Sequence, residues 1–229
     1  MDNRPTFGAA GKGPTSATEK HPRVESVDTY LTQLASEWPT PGGGSAATLV
    51  GAAGAALVAM VARINSANPK YAPLAPLAHE LVAAADALRE NLVAARVRDE
   101  AAFDRVVAAT AMPKASDEEK RVRREALEIA LLHAAAEPLL AAQDALAVMR
   151  LAARSLEIPN KNLVSDIGCA AEFAAAALAA CAYNVRINHR YMNDAEAIAA
   201  QANALARYER ECNALLASVR RSIAELLGS

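Results

Sequence analysis

The run PTPGGGSAATLVGAAGAALVAMVA, residues 39–62, decides how this chain folds. Two prolines and three glycines give way at Ser45 to an uncharged stretch from Ala46 to Ala62, mostly Ala, Gly and Val. Alanine has the highest helix propensity, so the run predicts a helix from about Ser45 to Ser66. Ala47, Gly51, Ala55 and Ala59 recur every four positions, so they share one face and let another helix approach closely. The stretch is short and weakly hydrophobic for a membrane span, which favours a central helix of a bundle. Ahead of it, the glycines form a bare-backbone loop feeding a helix N-terminus. Unpaired N–H groups and a partial positive charge face outward there, and a ligand can come close to a backbone without Cβ atoms. No Lys-Ser/Thr pair follows the glycines, which excludes a nucleotide P-loop. The plain alternative is a Gly-rich turn with Ser45 as N-cap.

The rest of the chain agrees with an all-α fold. Its 229 residues suffice for one large domain. Hydrophobic residues make up 53% but aromatics only 4%, and runs of β-branched and aromatic residues at strand spacing are missing. A net charge of −2 gives no footing for nucleic-acid binding. Cys169, Cys181 and Cys212 are odd in number and widely spaced, as in a reducing cytoplasm. His21, His79, His133 and His189 make no metal-ligand pattern. No metal, membrane or nucleic-acid partner is therefore expected, and no signal peptide is visible.

Residues 1–24 are polar and Pro/Gly-rich and predict a disordered tail; residues 25–229 form a single helical domain. Helix one starts near Ser26 and ends before Pro39. A loop over residues 65–73 separates helix two from a long helix three, residues 74–110. Ser116-Asp-Glu-Glu119 reads as a capping box and opens a helix to about Ser155, with a kink or break expected at Pro138. Residues 156–162 are a loop, helix five runs from Val164 to His189, and Asn193-Asp-Ala-Glu196 caps a last helix reaching Leu227. Long amphipathic helices with short connections predict an up-and-down bundle.

Two helices carry polar residues where apolar ones are due. On helix three, Leu81, Leu88, Leu92, Ala95, Phe103 and Val106 form one stripe at about 100° per residue. Asp99 falls in the middle of it, while Arg98 and Glu100 point to either side with access to solvent. A carboxylate on a buried stripe is costly unless paired or protonated, which points either to function or to a structural ion pair. On helix five, Asp166, Phe173, Ala177, Ala180, Asn184 and Asn188 share a face. Asn184 and Asn188 lie one turn apart and offer amide donors and acceptors to a heterocycle edge, or else bond within the bundle. Ser165 and Asp166 are cap residues or part of a site. Lys70, Lys114 and Lys161 lie in loops; Lys70 and Lys161 are candidates to hold an acidic ligand tail. The alternating charges from Lys120 to Glu128 read as a solvated face.

Four segments together give the chain a family likeness: Pro39–Ser45 with the helix behind it, Asp99-Glu-Ala-Ala-Phe103 with Met112-Pro-Lys114 and the acidic cap, Asn162-Leu-Val-Ser-Asp166, and Asn184-Val-Arg-Ile-Asn188. Over roughly residues 26–225 the chain resembles the formimidoyltetrahydrofolate cyclodeaminase and methenyltetrahydrofolate cyclohydrolase family. One departure is Ile158–Asn162, where the family usually has a Gly-Asn pair. The resemblance implies an all-helical homodimer with a folate site near the subunit interface and Asp99 as acid/base. It implies that Gly43, Gly44, Ser45, Asp166, Asn184 and Asn188 line that site, with Asp166 assisting or orienting; Ser165 and Lys70, from their own positions, are added as candidate substrate contacts. The only cofactor-like molecule implied is the tetrahydrofolate substrate, with polyglutamylated forms included. A 5,10-methenyltetrahydrofolate cyclohydrolase is favoured because no formiminotransferase domain is seen ahead of helix one. Cyclodeaminase activity and a non-catalytic folate-binding dimer are the alternatives.

Overall fold

The computed structural model describes residues 26–228 and is all-helical. The tail expected over residues 1–24 lies outside the described residues. Six α-helices follow in order: α1 Val27–Leu34, α2 Gly43–Ser66, α3 Ala75–Thr110, α4 Asp117–Ser155, α5 Val164–His189 and α6 Ala195–Leu227. Short 3-10 turns at Pro69–Leu74 and Lys161–Leu163 lead into α3 and α5. The first of these replaces part of the loop expected there, with Pro69 opening it and the Asn68 side chain accepting from the Lys70 N–H.

α2, α3, α4 and α5 pack as a closed up-and-down ring, each against the next and α5 back against α2, and α6 lies across α4 and α5. The small residues of α2 set the closeness of this ring. A Cβ at Gly51 would sit 3.3 Å from both the Ala177 Cβ and a Leu92 methyl, and one at Gly54 would lie 3.1 Å from the Ala170 carbonyl. The core is accordingly built of alanines around Leu81, Leu92, Leu146 and Met149, all fully buried.

Boundaries follow capping chemistry. Ser26 accepts from Thr29 N–H to start α1, and Ser116 with Glu119 forms a reciprocal capping box for α4. Asp194 accepts from the Ala197 N–H at the start of α6, and Gly228, at φ 72°, ends it in the left-handed region. α4 continues unbroken through buried Pro138, so the break considered there does not occur. Pro138 is buried within the bundle, and that burial offsets the hydrogen bond it cannot make.

Helix lengths place the site. α2 has 24 residues and α3 has 36, roughly 36 and 54 Å at 1.5 Å per residue. Gly51 packs at the level of Leu92 and Gly44 at the level of Asp99, so α3 runs on past the start of α2 by about 16 Å to Thr110. Beyond Gly44 the ring lacks its α2 side. A second, smaller core fills part of that region, with Val106, Leu127, Leu131 and Met192 among its members. The rest is open.

Candidate active site

The open region is a cavity of about 260 Å³ floored by Gly42, Gly43 and Gly44 and walled by α3, α4 and α5. α2 begins two residues earlier than Ser45. Gly42 is its N-cap, with extended backbone and no side-chain cap, so Ser45 does not cap the helix. A glycine N-terminus leaves first-turn N–H groups unscreened at the cavity floor. Asp99 stands directly against it. A Cβ on Gly44 would come within 2.7 Å of the Asp99 Cγ and closer still to both carboxyl oxygens. Only glycine leaves room for the carboxylate at this contact.

Asp99 is pushed up from 3.8 to about 6. Burial is the largest cause, followed by the charge of Glu100; the Ser45 backbone N–H acts the other way, and Glu137 on α4 raises it further. Behind the carboxyl, Cys181 of α5 is buried and its thiol is pushed up to about 12 by that burial and by the charge of Asp99. It therefore stays protonated and packs as a small apolar group.

Glu100 does not reach solvent as its helical angle suggested. It is only 8% exposed, on the side where Tyr30 of α1 reaches Ser45 and Arg96. The Ser45 hydroxyl donates to Glu100 Oε1 at 3.0 Å, and Ser45 Oγ lies 3.0 Å from the Tyr30 hydroxyl. The Arg96 guanidinium stacks 4.8 Å from the centre of the Tyr30 ring. Ser45 thus sits behind the cavity floor, where it joins α1, α2 and α3. Tyr30, Arg96 and Glu100 escaped the sequence reading. The one signal available was the i, i+4 spacing of Arg96 and Glu100.

Opposite Asp99, α5 contributes Asn184 and Asn188. Both amides are fixed by backbone carbonyls: Asn184 Nδ2 donates to Ala180 O, and Asn188 Nδ2 donates to Ala134 O and Asn184 O, each at 2.9 Å. That leaves the two amide oxygens to accept from a ligand's N–H groups. Phe103, Val106, Leu127, Leu131, Ile187 and Tyr191 make an apolar middle. Arg123, expected on a solvated face, turns into the cavity and donates through Nε to Thr110 O at 3.1 Å.

This arrangement can be set against known proteins. Residues 26–207 match the family model described as formiminotransferase-cyclodeaminase. The chain belongs to this family. It is 36% identical over 170 residues to a methenyltetrahydrofolate cyclohydrolase of Methylorubrum extorquens, spanning 74% of this chain and 82% of that one. The solved structure of a formiminotetrahydrofolate cyclodeaminase from Thermotoga maritima superposes with a TM-score of 0.81 at 26% identity, covering 90% of this chain and 98% of that chain.

The fold of this formiminotransferase-cyclodeaminase family member brings together Asp99, Gly43, Gly44, Asn184 and Asn188, with Ser45 just beneath. It does not bring Ser165, Asp166 or Lys70 to the same cavity within the chain. Asp166 begins α5, roughly 27 Å along the helix from Asn184. Lys70 is exposed at that same far end, 5.3 Å from the Tyr71 ring centre. There the Tyr71 hydroxyl donates to Pro159 O at 3.3 Å and Asn160 Nδ2 to Asn65 Oδ1 at 2.8 Å, tying the two connections together. The departing segment, residues 158–162, lies in this tie. Among the described residues, no group of three His, Cys, Asp or Glu side chains is placed to hold a metal ion.

Proposed function

We propose that this chain is a one-carbon folate enzyme, a 5,10-methenyltetrahydrofolate cyclohydrolase producing 10-formyltetrahydrofolate, with Asp99 as general acid and base. The observation that carries it is a carboxyl pushed up to about 6, set between a glycine N-terminus and two amides in a partly apolar cavity. The cyclohydrolase relative, matched over most of both chains, supports this choice of reaction.

In the hydrolysis, water adds to the cationic carbon between N5 and N10 as Asp99 takes one of its protons. The neutral carbinolamine then opens. Asp99 returns a proton to N5, the N5–C bond breaks, and the hydroxyl loses its proton to leave the N10-formyl group. One proton is released overall. A carboxyl poised near 6 suits both directions of transfer. The ionised form also attracts the cationic methenyl group, while the amide oxygens of Asn184 and Asn188 accept from the pterin's N–H edge.

The cyclodeaminase reaction is the second reading, favoured by the Thermotoga maritima structure. It passes through the same tetrahedral carbon, with N10 attacking an N5-formimino group and ammonia leaving. Loss of the methenyl absorbance from 5,10-methenyltetrahydrofolate, faster than the spontaneous rate, supports the first reaction. Its growth from 5-formiminotetrahydrofolate with release of ammonia supports the second. No acceleration of either leaves only a folate-binding role, which ligand-induced thermal protection would then test.

The same proposal includes a homodimer. α2 and α5 lie side by side and together expose Val50, Met60, Ile64, Phe173, Tyr183 and Ile187, with Tyr183 at 72% exposure. A second copy packed on this face about a two-fold axis perpendicular to the helices would bring its own start of α5 towards the cavity. That is the arrangement in which Ser165, Asp166 and Lys70 join the folate site. Against the sequence expectation for α2, Gly43–Ser66 and Lys161–His189 are also long and apolar enough to cross a membrane, by length and composition. Light scattering of the purified protein and flotation with lipid vesicles separate the two occupants of the face.

A further inference from the structure

The cavity has a direction. Its inner end holds Asp99, Gly43, Gly44, Asn184 and Asn188. Its far end is marked by Thr110 on α3 and Arg123 on α4. Thr110 is eleven residues from Asp99 along α3, and Arg123 is eleven residues from Ala134, whose carbonyl holds Asn188. Both helices therefore separate the two ends by about 16 Å, with Phe103, Val106, Leu127 and Leu131 between them. The cavity thus offers acceptors and a titratable carboxyl, then an apolar slot, then a cation.

Arg123 is built to receive an anion. Its Nε–H donation to Thr110 O fixes the plane of the guanidinium. The carboxylates near it on α4 are engaged elsewhere: Glu118 and Glu125 with Arg121, Asp117 with Lys120, Glu119 with the N-terminal cap, and Glu128 with Asn193 and Asp194. Among the described residues no carboxylate forms an ion pair with Arg123, and its side chain lines the cavity. A guanidinium held this way binds a carboxylate through two parallel hydrogen bonds.

We infer that Arg123 is the specificity residue for the glutamate carboxylate of the substrate, at the opposite end of the cavity from the reacting carbon. The inference rests on the folate reading above, in which pterin, benzoyl ring and glutamate follow one another in the same order as the three zones. It replaces Lys70 and Lys161 as the holder of the acidic tail within one protomer, since both lie at the other end of the bundle.

The test compares 5,10-methenyltetrahydrofolate with 5,10-methenyltetrahydropteroate, which lacks glutamate, in wild type and in Arg123→Met. The wild type is expected to prefer the glutamate-bearing substrate. Arg123→Met is expected to raise KM for that substrate about tenfold or more, at little change in kcat, and to leave the pteroate substrate unaffected. Arg123→Lys keeps part of the preference, and it reads the same ratio if the methionine variant fails to fold. Equal losses on both substrates, or no change in either, overturn the assignment of Arg123 while leaving the folate reading intact. A wild type that turns over neither substrate removes the cyclohydrolase reading, and this inference about its substrate with it.

Discussion

Replacing Asp99 by Asn removes a charge and keeps the shape, so it isolates what the buried carboxyl does to stability. In the folded chain Asp99 titrates near 6, against 3.8 for the ordinary group. A gap of about 2 units corresponds to about 3 kcal/mol. Asp99 edges an open cavity, so solvent screening reduces this to about 1–2 kcal/mol. The folded value is raised, so between 3.8 and about 6 the folded chain holds more protons than the unfolded one. Stability contributed by this group therefore falls as pH rises through that window. The penalty is complete above the window and absent below it. An asparagine in its place would carry no such dependence, and its amide oxygen can still accept from the Ser45 N–H. Asp99→Asn is expected to be more stable than wild type by about 1–2 kcal/mol near pH 8, with the gap closing by about pH 4. Urea unfolding followed by circular dichroism at several pH values measures it, in parallel with loss of turnover in the methenyl assay. A stability difference that stays constant with pH, or a variant less stable at pH 8, would refute the reasoning about burial. Retained turnover would refute the catalytic role separately.

Other expectations follow from neighbouring contacts. Glu100→Gln removes the second-largest cause of the Asp99 shift, so the acidic limb of the kcat/KM profile should move to lower pH by less than the full displacement; an unmoved limb would show that Glu100 does not act on Asp99. Gly44→Ala sets a methyl against the Asp99 carboxyl and should cut kcat at least tenfold while the far-ultraviolet spectrum stays helical; normal kinetics would contradict the close approach. Ser45→Ala takes the hydroxyl donor from buried Glu100 and should destabilise by about 1–3 kcal/mol in urea titration. Phe173→Glu with Tyr183→Glu should leave monomers by light scattering if a second copy covers the α2/α5 face. Mixing Asp99→Asn with Asp166→Asn protein should restore activity only if each cavity draws on both copies.

Much of this molecule was legible in local pattern. Helix boundaries follow from Ser26, the Ser116–Glu119 box, Asp194 and Gly228, because caps act over a single turn. The all-α fold follows from composition, and Asp99 stands out because a carboxylate interrupts an apolar period. Even Arg123 had a faint signal, lying one turn before Leu127 and two before Leu131 on the same stripe.

Periodicity reports a direction around a helix axis; it reports neither depth nor what stands opposite. That is why Glu100 reads as solvent-facing until Tyr30 of α1 comes against Ser45 and Arg96 beside it, and why Asp166 shares a face with Asn184 yet sits about 27 Å away. The sequence by itself determined the helices, most of their ends and the misplaced carboxylate, all of which depend on neighbours within a few turns. Only the tertiary structure decided the cavity. It exists because α2 starts level with Asp99 while α3 and α4 run on, and a mismatch between helices far apart in the chain becomes a space only when they pack side by side.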